Sequence, residues 1–291
     1  MRILNFGSLN IDHVYQVEHI VRPGETLPSA SYQVFAGGKG ANQSAALAKA
    51  GAAVFHAGRV GPEGGWLVEK LAGLGADMRY TVEDQAPTGH ALIQVDPQGR
   101  NAIVLFPGCN QRLDEAQIDS TLADFGSGDL LLLQNEVNQL PHLMRRARDR
   151  GLRICFNPAP FTPPVQEYPL ELVDILVLNE VEGEGLSGKQ EPRGVVEALV
   201  RRYPRASIVL TLGAEGVLYS SPQECFHVPA QQVQAVDTTA AGDTFIGYFL
   251  VGLAAGQAPR QAAQRACRAA ALCVGQPGAM DSIPGKEELG P

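Results

Sequence analysis

The chain has 291 residues, 45% of them hydrophobic, and carries 31 Asp and Glu against 23 Lys and Arg, for a net charge of -8 and a pI near 5.3. This length and hydrophobic content support a substantial core. The acidic balance argues against a nucleic-acid partner, because the arginines that do cluster, Arg145, Arg146, Arg148 and Arg150, spread around one predicted helix. No apolar run reaches membrane-spanning length, and the polar start MRILNFGSLNID does not read as a signal peptide. The five scattered cysteines lack CxxC spacing, so free thiols in a reducing cytoplasm are expected rather than a zinc site or a disulfide framework.

Residues 2–6 read as a short buried strand ending in Gly7-Ser8. Asn10 and Asp12 follow two residues apart, on one side of an extended chain. An amide and a carboxylate so placed could grip vicinal hydroxyls, or could serve a turn, which both residue types favour. Residues 14–20 and 31–35 read as strands joined by RPGETLPS with no helix between them, and residues 90–95 and 101–106 as a pair around the turn Asp96–Gly99. These strands break the strand–helix rhythm. They predict a small β-sheet lid, over about 14–35 and 90–106, that would cover a ligand and exclude water.

AGGKGANQS at 36–44 opens an Ala-rich helix. It is not a Walker A loop, since Gly38-Lys39 is followed by glycine, and not a dinucleotide fingerprint, since Gln43 stands where GxGxxG needs its third glycine. Lys39 and Asn42 lie three apart, hence on one helix face, where they could hold polyol oxygens. From residue 53 onward strands near 54–60, 129–133, 152–156, 174–178 and 207–212 alternate with helices near 64–74, 114–125, 140–150, 191–203 and 260–274. That alternation predicts an α/β fold, a mostly parallel, helix-covered sheet, in one domain over 1–291.

Polar residues gather where the predicted strands end: Asn10 with Asp12, Glu136, Asn157, Asn179 with Glu182, Thr211 with Gly213, and Asp237. Open α/β sheets place ligand clefts there. Asn179 and Glu182 offer oxygens one helical turn apart, suited either to hydrated Mg²⁺ or to capping a helix. Residues 233–236 read as a strand, and 238–242 as a small-residue turn into an apolar helix. The first amides of such a helix, with its dipole, make an anion site, and Asp243 among them is either a cap or a working base.

In the order and spacing of these strings the chain resembles the ribokinase-like family of carbohydrate kinases. The strings are GSLNID (7–12), PGET (23–26), AGGKGANQS (36–44), NPAP (157–160), NEVE (179–182), TLGAEG (211–216) and VQAVDTTAAGDTF (233–245). The resemblance implies an α/β domain with a β-sheet lid that moves the ATP γ-phosphate to a sugar hydroxyl, D-ribose first, with a nucleoside, another pentose or a ketose as the alternative acceptor. It implies that Asn10, Asp12, Gly38, Lys39, Asn42 and Glu136 hold the sugar, that Asp243 is the general base, and that Ala240, Ala241 and Gly242 with Asp243 form the anion hole. Asn179, Thr211 and Gly213 would lie along ATP, and Asn179 and Glu182 would order Mg²⁺ through water. Asp237, Thr239, Cys273, Gln276, Gly278 and Ser282 would surround K⁺, and two copies would pair through their lids. Two departures stand out: Ala240 occupies a place where many members carry glycine, and Phe106, in FPGCN at the end of the lid, is bulky for a position near a small sugar.

Overall fold

The structure, a computed structural model, describes residues 1–290. In chain order its strands are β1 (Ile3–Phe6), β2 (Asn10–Gln16), β3 (Ser31–Gly37), β4 (Val54–Val60), β5 (Asp77–Glu83), β6 (Gly89–Val95), β7 (Asn101–Phe106), β8 (Leu130–Gln134), β9 (Arg153–Asn157), β10 (Ile175–Asn179), β11 (Ser207–Thr211), β12 (Val217–Ser220) and β13 (Cys225–Val228). The helices are α1 (Lys39–Lys49), α2 (Gly65–Gly73), α3 (Glu115–Leu122), α4 (Leu140–Asp149), α5 (Glu180–Ser187), α6 (Pro192–Arg202), α7 (Ala241–Ala254) and α8 (Pro259–Val274).

Apolar runs without polar alternation, such as LLLL at 130–133, suit strands buried on both faces. They form a nine-stranded sheet in the order β13-β12-β11-β10-β9-β8-β1-β4-β5. Its strands are parallel from β11 through to β5, with β12 and β13 antiparallel at one edge. Alternate leucines of β8 serve opposite faces: Leu130 and Leu132 join a core with α1, α2, α7 and α8, while Leu131 and Leu133 join one with α3, α4, α5 and α6. The mostly parallel, helix-covered α/β sheet expected from the sequence is therefore present.

A second sheet, β3-β2-β6-β7, stands over the carboxyl ends of the central strands. It pairs β2 with β3 and β6 with β7 antiparallel, and β2 with β6 parallel. The period-two alternation of its strands divides it cleanly. Asn10, Asp12, Val14, Phe35, Ala91 and Ile93 face a cavity below. Tyr32, Val34, Leu92, Val104 and Phe106 fall on the other face and are exposed.

Three local expectations differ from the structure. The lid strand begins at Asn10 rather than near residue 14, so Asn10 and Asp12 are the first lid residues rather than a turn after β1. Residues 233–236 form no strand; Gln231 to Val236 are all exposed and pair with no neighbouring strand, so their β-branched side chains have no pleated surface to pack against. Strands β5 and β13 and helix α5 are additional. Both strands lie at the edges of the sheet, where charged or short segments such as DMRYTVE and CFHV carry little apolar signal.

Candidate active site

Two helix starts meet beneath the lid. Helix α1 follows β3 directly, and α7 packs against it so closely that a Cβ on Gly247 would lie 2.5 Å from the Ala46 Cβ. That contact has a consequence one helical turn earlier on each helix. There Asn42 Nδ2 donates to Asp243 Oδ2 (3.2 Å) and Gln43 Nε2 to Asp243 Oδ1 (2.9 Å). Asp243 is buried, and both of its oxygens are held by amide donors from α1.

The start of α7 carries the features of an anion site. Ala240, the N-cap, has φ 61 and ψ 5, a left-handed conformation in which its methyl is strained and glycine would not be. The Ala241 N–H turns back weakly onto the Thr238 carbonyl (3.3 Å). The N–H groups of Gly242 and Asp243 have no acceptor among the described residues, and they sit at the positive end of a 14-residue helix.

A cavity of about 830 Å³ brings together the residues expected to hold the sugar: Asn10, Asp12, Gly38, Lys39, Asn42 and Glu136, with Asp243. Asp12 lies against the backbone of Gly37, where a Cβ would stand 2.0 Å from its Oδ2, so only glycine permits this approach. No protein donor reaches the Asp12 carboxylate, and burial, with the nearby Glu136, pushes its pKa up to about 7. Glu136 Oε2 accepts from the Ser8 hydroxyl and from the Lys39 N–H (2.9 Å), and burial raises its pKa as well. Burial pulls the Lys39 ammonium down, but the carboxylates of Asp243, Glu136 and Glu182 outweigh it, and its pKa stands above the usual lysine value. Asn42 Oδ1 is buried without a partner, an acceptor left for a hydroxyl that enters the cavity.

The remaining expected residues fall around this centre. Asn179 caps α5 in a reciprocal capping box: its Oδ1 accepts from the Glu182 N–H (3.0 Å), and Glu182 Oε2 accepts from the Asn179 N–H (2.9 Å). This leaves one oxygen of the buried Glu182 and the Asn179 Nδ2 for the cleft. Thr211 lines the main cavity and also a second one of about 360 Å³, whose walls include Gly213, Val233, Phe245, Cys267 and Ala271. Beyond the start of α7, Asp237 accepts from the N–H groups of Thr239 (2.8 Å) and Gly278 (3.1 Å). Ser282 Oγ lies 2.7 Å from the Gly278 carbonyl and 2.8 Å from that of Ala279, with one proton for the two, and Cys273 Sγ is 3.8 Å from the Thr239 carbonyl. Gln276 joins through its N–H on the Cys273 carbonyl (3.2 Å).

Phe106 does not bear on this cavity. It lies on the outer face of the lid, with its ring 5.1 Å from that of His90. Sequence reasoning misses Asn110, whose Nδ2 donates to Asn10 Oδ1 (2.7 Å) and so leaves the Asn10 amide donor free to face the cavity. Gln43 shows in the sequence only as the residue that breaks a glycine fingerprint. The apolar lining of the second cavity belongs to no motif, so no string in the sequence announced it.

A model of the pfkB family of carbohydrate kinases matches residues 2–286. The chain belongs to that family. A ribokinase of Haemophilus influenzae is 35% identical over 97% of this chain and 95% of its own. Among solved structures, a ribokinase of Thermotoga maritima is 36% identical with a TM-score of 0.89, covering 99% of this chain and 97% of its own. Arabidopsis thaliana ribokinase complexed with ribose and ATP is 28% identical with a TM-score of 0.88, covering 99% and 96%. As a carbohydrate kinase the chain needs an acceptor site, a phosphoryl path and a nucleotide site. The two adjoining cavities share Thr211, Thr238 and Gly242, the last two flanking the start of α7.

Proposed function

We propose that the protein transfers the γ-phosphoryl group of ATP to a sugar hydroxyl, converting D-ribose to D-ribose 5-phosphate. One observation carries the proposal: Asp243 stands at the start of α7, held by two amides of α1, between the sugar-side residues and the free N–H groups of Gly242 and Asp243. The ribokinase names of its relatives, and the ribose and ATP held by one of them, support the choice of acceptor and donor.

Phosphoryl transfer needs alignment, charge neutralisation and a dry site more than covalent chemistry. In this account Asp12, Asn10 and the Lys39–Glu136 pair grip the sugar hydroxyls. Asp243 accepts the proton of the attacking hydroxyl, a contribution worth roughly 10²–10⁴-fold. The free α7 amides accept the charge of the transferred group. The apolar second cavity takes the adenine ring, with Thr211 and Gly213 along its edge. The lid closes over the sugar.

Charge balance supports a need for cations. The main cavity carries the carboxylates of Asp12, Glu136, Glu182, Asp237 and Asp243 against the one ammonium of Lys39, and a triphosphate adds more negative charge. The free oxygen of Glu182 suits a water of a hydrated Mg²⁺, with the Asn179 amide donor beside it; bound there, the ion would neutralise the phosphates. The carbonyls of Thr239, Gly278 and Ala279, with fewer protons than acceptors around Ser282, suit a dehydrated monovalent cation such as K⁺, held with Asp237, Cys273, Gln276 and Ser282 around it.

The exposed outer face of the lid, with Tyr32 50% and Val104 67% accessible, supports pairing with a second copy into a homodimer. All five cysteines are free, which fits a reducing cytoplasm, and no described helix is long and apolar enough to cross a membrane.

The test is a panel of pentoses, 2-deoxyribose, ketoses and nucleosides with detection of ADP. Ribose should be the best acceptor. A nucleoside would need a platform for its base, and Phe35 is the one aromatic ring lining the main cavity among the described residues. A nucleoside turned over better than ribose would overturn the acceptor assignment.

A further inference from the structure

Behind the proposed base lies a line of buried amides that the family roles do not use. Gln43 Nε2 donates to Asp243 Oδ1 (2.9 Å) and to Asn157 Oδ1 (3.1 Å). Gln134 Nε2 donates to Gln43 Oε1 (2.7 Å) and to Asn5 Oδ1 (2.9 Å). Asn5 Nδ2 donates to the Gly40 carbonyl and to Ser44 Oγ, both at 2.8 Å, and Asn157 Nδ2 donates to the Val177 carbonyl (3.0 Å). Gln43, Gln134 and Asn5 are wholly inaccessible to solvent.

The polarity of this line is set from its far ends. A backbone carbonyl can only accept, so Asn5 must turn its NH₂ toward Gly40, and Asn157 its NH₂ toward Val177. Asn5 then offers its oxygen to Gln134, which must answer with NH₂. The second hydrogen of that NH₂ fixes the Gln43 oxygen as an acceptor. The Gln43 NH₂ is left with two acceptors, Asn157 Oδ1 and Asp243 Oδ1, and has one hydrogen for each. Turning Gln43 over would set its oxygen against the Asp243 carboxylate and its NH₂ against the NH₂ of Gln134. One orientation survives, and in it Asp243 meets only donors.

We infer that Gln43 is a positioning residue for the general base: oriented by Gln134, Asn5 and Asn157, it fixes the plane of the Asp243 carboxylate for proton transfer. The inference rests on the assignment of Asp243 as base. Gln43 touches no substrate in this account. It acts because an amide donor on each oxygen of the buried carboxylate locks its geometry.

The test compares Gln43→Met, which keeps the volume and removes the donor, with Gln43→Glu, which can still accept from Gln134 but sets a second carboxylate against Asp243. For Gln43→Met, ribose-dependent kcat should fall about 10- to 100-fold, the effect of a carboxylate no longer held in line with the attacking hydroxyl. The KM for ribose should stay within about threefold, because the sugar contacts remain. Gln43→Glu should lose at least as much kcat, because a carboxylate cannot donate to Asp243. Wild-type kcat in either folded variant would overturn the proposal, as would a KM for ribose that rises as far as kcat falls. Asp243→Asn is run alongside. If it is fully active, the base assignment and the role of Gln43 fall together; if it is inactive while Gln43→Met retains wild-type kinetics, only the role of Gln43 falls.

Discussion

Replacing Asp12 by Asn should make the sugar-free protein more stable while abolishing sugar binding. In the folded protein the Asp12 carboxylate has no protein donor, lies over the backbone of Gly37 and faces Glu136, and its pKa stands at about 7 against an ordinary 3.8. Between those two values the folded state holds a proton that the unfolded chain has released, so stability falls as pH rises through that window, and above pH 7 the whole cost is present. At about 1.36 kcal/mol per pH unit the gap amounts to roughly 4 kcal/mol, an upper bound because the amide of Asn also needs partners. A gain of about 2–4 kcal/mol at pH 8 is expected, shrinking toward zero near pH 4. The assay is urea denaturation of both proteins, without sugar, from pH 4 to pH 8, with ribose binding measured in parallel. Curves that run parallel across that range, or a variant less stable at pH 8, would refute the burial and repulsion assigned to Asp12.

Gly247→Ala should cost about 1–3 kcal/mol of stability through overpacking against Ala46. It should also lower kcat more than the KM for ribose, because the added methyl pushes α7 from α1 and so separates Asp243 from Asn42 a helical turn away; unchanged kcat would uncouple the helix contact from the site. Burial pushes the His56 imidazole down to about 4 from 6.5, so acidification between those values protonates the unfolded chain first and removes about 3 kcal/mol; His56→Gln should lack that slope, so that the difference between wild type and variant narrows as pH falls across the window, which thermal melts can measure. Val104→Glu, on the exposed lid face, should convert a dimer into a monomer in light scattering, and a wild-type protein that is already monomeric at micromolar concentration would contradict the proposed pairing.

Much of the framework was legible because burial on both faces leaves a plain record. Runs such as LLLL at 130–133 and ILVL at 175–178 admit a parallel, helix-covered sheet and little else. The lid was legible as strands without intervening helices, but its start was not. Asn10 and Asp12 belong to a strand because β3 and β6 flank them in register, and long-range pairing of that kind leaves no local mark. Asp243 was visible as a carboxylate at a helix start, whereas the amides of Asn42 and Gln43 that hold it arrive from α1, some 200 residues away. Asn179 illustrates the opposite case: its capping role is plain in the sequence and present in the structure, where its oxygen accepts from the Glu182 N–H. Gln43 and Asn110 escape notice in the sequence because amides that orient other amides carry no spacing of their own.

The most direct test of the account is Asp243→Asn, assayed for ribose-dependent ADP formation and, separately, for ribose binding by calorimetry. The substitution keeps the shape of the side chain and removes the proton acceptor at the start of α7. Turnover should fall by about 10²-fold or more while ribose affinity stays within a few-fold of wild type. Full turnover in that variant would contradict the assignment of Asp243 as the base.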